Sequence, residues 1–216
     1  MIKVEEIDWS LYAIIDREWL RGRDIEKVAE EIIIGGAGVI QYRDKVSESK
    51  TFYREALKLR RITGMHNIPL IINDRVDIAL AVCADGVHLG KEDLPVDVAR
   101  KIVGDKMIIG ASLKYESDFT AAKGADYFGV GAIYPTKTYK TYHVSGLDII
   151  KKIKAKTHRP IIGIGGITSE NVIPVFRAGA DGIAVISAIL GKNNVKEAAK
   201  NLLDVIRRAK LGGIDE

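Results

Sequence analysis

The chain has 216 residues and a 47% hydrophobic content, which suits one domain with a large core. Its 33 basic and 29 acidic side chains leave a net charge of +4 and are mixed along the chain, which excludes a nucleic-acid arm but suits anionic small-molecule substrates. A single cysteine excludes an intramolecular disulfide, and no apolar run approaches the roughly 20 residues of a membrane span.

Met1–Ser10 carries acids and no apolar signal core, so it reads as an N-terminal extension of a soluble, cytoplasmic protein with no membrane or nucleic-acid partner. The composition is compatible with a homo-oligomer. From there, short apolar runs bounded by Gly, Asp or Asn alternate with longer amphipathic ones. The first strand is expected at Leu11–Ile15. Asp24 then caps a helix over Ile25–Ile34 that turns Ile25, Val28, Ala29, Ile32 and Ile33 to one face. A second strand, Val39–Arg43, follows Gly35-Gly36-Ala37-Gly38. Ser47 opens a helix carrying Phe52, Ala56 and Leu59, and Leu70–Asn73 is the third strand. The next helix, near Val76–Val82, leads to Cys83, which reads as a small buried helix residue and not as a nucleophile. Gly86–Leu89 is the fourth strand, Val96–Val103 a helix, Met107–Ala111 the fifth strand and Tyr127–Val130 the sixth. Ser145 with Asp148 reads as a capping box ahead of Ile149, Ile150 and Ile153. The seventh strand, Ile161–Ile164, precedes a helix capped by Thr168 or Ser169 and running through Phe176. The eighth, Gly182–Ile186, precedes a helix opened by Asn194 with Glu197.

Eight even strand–helix units without a hairpin signal leave two architectures, a closed barrel or an open doubly wound sheet. The open sheet carries a glycine-rich turn after its first strand; here that position reads Ile15-Asp16-Arg17. The expectation is therefore an α/β fold: a closed (β/α)8 TIM barrel forming a single domain over residues 1–216.

In such barrels the chemistry gathers at the C-terminal strand ends. Gly165-Gly166 is either a tight turn or a cradle of free N–H groups for a phosphate. Asp74 and Asp93 either cap turns and pair with Arg75 and Lys91, or hold Mg²⁺, which favours carboxylate, water and phosphate oxygens. Arg43 and Lys45 are either a solvated pair or an anion site. The polar run Thr136–Thr141 can fold over an anion. His66, His88, His143 and His158 lack metal-ligand spacing and read as surface or packing residues.

Taken in order, Gln41-Tyr42-Arg43-Asp44-Lys45, Ile72-Asn73-Asp74-Arg75, His88-Leu89-Gly90-Lys91-Glu92-Asp93, Gly110-Ala111-Ser112, Pro135-Thr136-Lys137-Thr138 and Gly163-Ile164-Gly165-Gly166-Ile167-Thr168 resemble the thiamine phosphate synthase family, from about Leu11 to Lys210. The resemblance implies a Mg²⁺-dependent transferase that joins hydroxymethylpyrimidine pyrophosphate to thiazole phosphate and releases pyrophosphate, through a dissociative step at the pyrimidine methylene. It implies that Gln41, Tyr42, Arg43, Asp44, Lys45 and Asn73 hold the pyrimidine pyrophosphate, with Arg43 and Lys45 on its phosphates. Asp74 and Asp93 are then the metal ligands, and Ser112 touches the pyrimidine. Thr136, Lys137, Thr138, Tyr139, Gly166, Ile186 and Ser187 surround the thiazole phosphate. The family pattern places a lysine directly after the second threonine; here Tyr139 stands there and Lys140 follows, so the role of reaching the pyrophosphate passes to Lys140. Lys114 stands where the family commonly has a histidine, and Gly131-Ala132 where it has Gly-Pro. Two alternatives are a thiazole tautomerase of the same family, which needs no metal pair, and a non-catalytic phosphate-binding barrel.

Overall fold

A computed structural model describes residues 2–136, 138 and 143–211. Eight parallel strands close into a barrel in sequence order, with β8 hydrogen-bonded back to β1. In chain order the elements are β1 (Leu11–Asp16), α1 (Arg17–Leu20), α2 (Ile25–Ile34), β2 (Val39–Arg43), α3 (Ser49–Met65), β3 (Leu70–Asn73), α4 (Val76–Ala81), β4 (Gly86–Leu89), α5 (Val96–Val103) and β5 (Ile108–Leu113). They continue with α6 (Phe119–Ala122), β6 (Tyr127–Gly131), α7 (Asp148–Lys154), β7 (Ile161–Ile164), α8 (Val172–Arg177), β8 (Gly182–Val185), α9 (Ser187–Leu190) and α10 (Val195–Lys210). The expected closed barrel is thus present. Among the described residues no helix is long and apolar enough to cross a membrane.

The strands are buried along nearly their whole length, the exceptions being Arg43, Ser112 and Ile164 toward the C-terminal rim, as parallel strands between a filled interior and a helical coat must be. Residues 4–10 do not trail free. Ile7 and Trp9 are buried, and the Trp9 ring lies tilted against Tyr127 with centroids 4.7 Å apart, closing the N-terminal end of the barrel from inside.

That same end carries a repeated clamp. Asp85, Asp126 and Asp181 each immediately precede an even-numbered strand. Each accepts a backbone N–H from the strand before it, Leu70 (2.9 Å), Ile109 (2.8 Å) and Ile161 (2.8 Å). Each also meets a helix cation, Arg60 (2.6 Å), Arg100 (2.6 Å) or Lys154 (2.7 Å). One carboxylate therefore ties two strands and a helix together with charge-assisted bonds.

Several local expectations change. Asp24 and Asn194 cap α2 and α10 as their sequence patterns require. Ser145 does not cap α7; its hydroxyl donates to the Lys114 carbonyl (2.8 Å), and the helix starts only at Asp148, past the left-handed Gly146. Ser47 does not cap α3, which begins after Glu48, because Asp44 takes the Ser47 N–H for its own turn (2.9 Å). Cys83 is not a buried helix residue. It lies beyond the end of α4, exposed, with φ 52°, where the chain reverses toward β4.

Candidate active site

The C-terminal strand ends surround a cavity of about 260 Å³. A second concavity of about 490 Å³ borders it through Ser187 and Ala188 but lies between α9 and α10, outside the ring of strand ends. The first is lined by residues at and beyond the ends of β2 through β8.

Directly after β3, Asp74 adopts φ 62°, a left-handed conformation that non-glycine residues seldom hold. Its N–H donates to the His88 carbonyl (2.8 Å), so β4 fixes the turn that brings the Asp74 side chain into the cavity lining. Asp93 comes from the turn after β4, where its Oδ2 accepts the Gly90 N–H (2.6 Å). The two carboxyl groups approach within hydrogen-bonding reach. Burial first, and then the neighbouring Asp93, push the Asp74 carboxyl up to about 6 against the pull of the Lys45 ammonium paired with it. Arg75 and Lys91 are not their partners: Arg75 binds Asp77 (2.6 Å), and Lys91 leans toward Asp118 (3.8 Å).

Two facing, half-desolvated carboxylates suit Mg²⁺, which needs only one or two carboxylates when phosphate oxygens and water complete its shell. Among the described residues no group of three or more His, Cys, Asp and Glu side chains could enclose a metal unaided, so the donor set fits an ion shared with substrate.

Of the Gln41–Lys45 run, the cavity takes Lys45. Arg43 is ion-paired with Asp16 at the end of β1. Tyr42 faces the helical coat, edge-on to Phe52, and its hydroxyl donates to Asp44 (3.0 Å), whose other oxygen accepts the Val46 and Ser47 N–H groups. Gln41 is buried and donates to the Tyr12 hydroxyl (2.8 Å). Asn73, buried, lines the cavity beside Asp74.

Opposite the acids, the loops after β6 and β7 pair beyond their strands, Ile133 N–H to the Ile164 carbonyl (2.9 Å) and Tyr134 N–H to that of Gly165 (3.0 Å). At Gly166, with φ 66°, any Cβ would run into the Pro135 carbonyl oxygen, so only glycine fits this crossing. Thr168 and Ser169 do not cap α8. The Asn171 carboxamide instead staples the loop, accepting from Thr168 N–H (2.8 Å) and donating to the Gly166 carbonyl (2.9 Å). β8 runs through Ile186 straight into α9, whose first turn leaves N–H groups without helical acceptors beside Gly166, Thr136 and Thr138. This matches the phosphate site that barrels build after strands 7 and 8 with a short extra helix. Lys137, Tyr139 and Lys140 lie outside the described residues.

Sequence reasoning missed three features. A Ser–His contact exists: Ser112 Oγ meets His88 Nε2 at 2.9 Å, because the β4–β5 register sets His88 beside Gly110. The Asp16–Arg43 pair joins neighbouring strand ends, and its register was readable once the barrel was assumed. Lys91 and Lys114 also line the cavity, adding cations that the sequence reading had not placed in the site. His88 itself is buried.

The family model described as thiamine monophosphate synthase matches residues 11–189. The chain is 48% identical over 198 residues to the thiamine-phosphate synthase of Alkaliphilus oremlandii, covering 91% of this chain and 95% of that protein. It is 48% identical over 200 residues to that of Clostridium tetani, covering 92% and 96%. Among solved structures it superposes on thiamine phosphate pyrophosphorylase from Pyrococcus furiosus with a TM-score of 0.85 at 37% identity, covering 94% of this chain and 97% of the other.

Proposed function

The chain belongs to the thiamine monophosphate synthase family, and on that premise we propose that its C-terminal rim joins hydroxymethylpyrimidine pyrophosphate to thiazole phosphate, giving thiamine phosphate and pyrophosphate, with Mg²⁺. The activity is that of a transferase. The observation that carries the residue assignment is the placement of paired acids and a lysine on one side of a single cavity, with the Gly166 turn and the α9 N-terminus on the other.

Asp74 and Asp93 would hold the metal, which when bound neutralises charge on the leaving pyrophosphate. Lys45 and Asn73 bind the same pyrophosphate. Arg43 and Lys140 complete the cationic set by the family pattern. The methylene C–O bond breaks first, and its electron pair leaves with pyrophosphate. The aminopyrimidine carries the resulting positive charge until the thiazole nitrogen forms the new C–N bond to that carbon. Thr136, Thr138, Gly166, Ile186 and Ser187 hold the thiazole phosphate in line for that attack, so the residues act by positioning and charge stabilisation. Ser112 contacts the pyrimidine and forms no covalent bond to it. The Ser–His pair lacks the orienting carboxylate of an activated nucleophile, since the second ring nitrogen of His88 meets the Tyr127 phenol (2.9 Å).

The test is incubation of the purified protein with both substrates, with Mg²⁺ and after chelation. Thiamine phosphate should form only with the metal. Its absence under both conditions removes the assignment. Full turnover in both Asp74→Ala and Asp93→Ala removes the metal pair.

A further inference from the structure

A column of polar side chains runs through the barrel interior from the buried centre to the cavity. Gln41 Nε2 lies 2.8 Å from the Tyr12 hydroxyl, which lies 2.8 Å from that of Tyr127. Tyr127 lies 2.9 Å from His88 Nδ1, and His88 Nε2 lies 2.9 Å from Ser112 Oγ. Tyr12 and Tyr127 are at most 1% exposed and His88 is 8% exposed. The barrel is hollowed to seat the column. A Cβ at Gly129 would lie 3.0 Å from His88 Cε1, and one at Gly110 would run into the Tyr127 ring. Strand glycines that clear space for buried polar rings give up local stability, because glycine weakens a strand.

The chain of contacts has a direction. A carboxamide nitrogen only donates, so the Tyr12 oxygen accepts from Gln41. The single Tyr12 proton then goes to Tyr127, and the Tyr127 proton goes to His88 Nδ1. Burial pushes both phenols up, so each keeps its proton, and the ring nitrogen that accepts the Tyr127 proton at 2.9 Å carries none of its own. A neutral imidazole that accepts at Nδ1 carries its proton on Nε2. That proton goes to Ser112 Oγ, which leaves the serine hydrogen free to point into the cavity. In the reverse direction the Tyr12 oxygen would accept twice, and its own buried hydrogen would find no acceptor among the described residues, at a cost of about 1–3 kcal/mol.

We infer that Tyr12, Tyr127 and His88 are positioning residues whose one-way hydrogen-bond chain makes the Ser112 hydroxyl a donor toward the pyrimidine substrate, so that the substrate atom it meets is a hydrogen-bond acceptor. The identity of that substrate rests on the proposed function. The direction of the chain does not, and it can be read in the free protein. The column therefore helps set specificity. A ligand that offers a donor at this point meets the serine hydrogen head-on and leaves both groups unpaired.

The test is ¹⁵N NMR of the ring nitrogens in the full chain without substrate; the four histidines are few enough to assign, with His88→Gln identifying the signal. His88 should show the Nε2–H tautomer. The Nδ1–H tautomer overturns the inference. Gln41→Glu puts an acceptor at the head of the column and should invert every bond, switching His88 to Nδ1–H; an unchanged tautomer also overturns it. Tyr127→Phe should lower kcat about tenfold, roughly one hydrogen bond, with KM for thiazole phosphate unchanged. An unchanged kcat removes the positioning role, whereas a wild-type protein that makes no thiamine phosphate removes only the substrate assignment.

Discussion

At the N-terminal end of the barrel, Asp85, Asp126 and Asp181 each hold one backbone N–H and one helix cation. At the C-terminal end, Asp74 and Asp93 meet at one side of a cavity, with one turn strained into a left-handed conformation and Lys45 as the counterweight. The same residue type thus plays opposite parts. Below, each carboxylate is satisfied inside the fold. Above, like charges are gathered and the compensation is left for a metal and substrates. Function sits where the barrel is electrostatically unfinished, which is the pattern expected of sites that give up stability for chemistry.

The largest test of this contrast is at the rim. Asp93→Ala should lower kcat/KM about 10³-fold, the scale of losing charge stabilisation on a leaving group, with thermal stability unchanged or raised. Next comes the interior column. His88 is held neutral, with a folded-state pKa of about 4 against an ordinary 6.5. Because the unfolded chain binds the extra proton, the stabilisation is complete above pH 6.5 and is lost as pH falls from 6.5 toward 4, by at most about 3 kcal/mol. Urea titrations across that window should show the slope in wild type and lose it in His88→Gln. The clamps come third. Asp126→Asn should destabilise the fold by about 2 kcal/mol, through Arg100 and the Ile109 N–H, and leave kcat intact. A loss of activity at unchanged stability would erase the distinction between the two ends. Smallest, Asp74→Asn should raise stability by about 1 kcal/mol, since it relieves a half-buried repulsion, while turnover is lost. A lower melting temperature would show that the rim is stabilising after all.

Much of this was legible in the amino-acid sequence, and the divide follows distance along the chain. Strand positions came within two residues because apolar runs between Gly and Asp report local burial. The rim motifs were readable because strand ends are contiguous peptides, as in Asn73-Asp74-Arg75. What joins distant strands was not readable. Tyr12 and Tyr127 are 115 positions apart and look like ordinary strand aromatics, and only the closed barrel turns them inward. Capping was misjudged wherever a side chain had a competing backbone group. Ser145 reaches the Lys114 carbonyl, and Asn171 serves the loop before α8 where Thr168 and Ser169 seemed to offer caps.

The clamps also bear on the order of assembly. The three carboxylate–cation pairs join residues 25, 26 and 27 positions apart, so each can form within a contiguous helix–strand–helix–strand stretch. The corresponding tie beside β1 is different. There the Lys210 ammonium on α10 donates to Ser10 Oγ (2.7 Å) across 200 positions. Closing a loop about eight times longer costs about 2 kcal/mol more in chain entropy. The three inner ties can therefore nucleate early, and the seam between the first strand and the last helix is the contact that waits for the rest of the barrel.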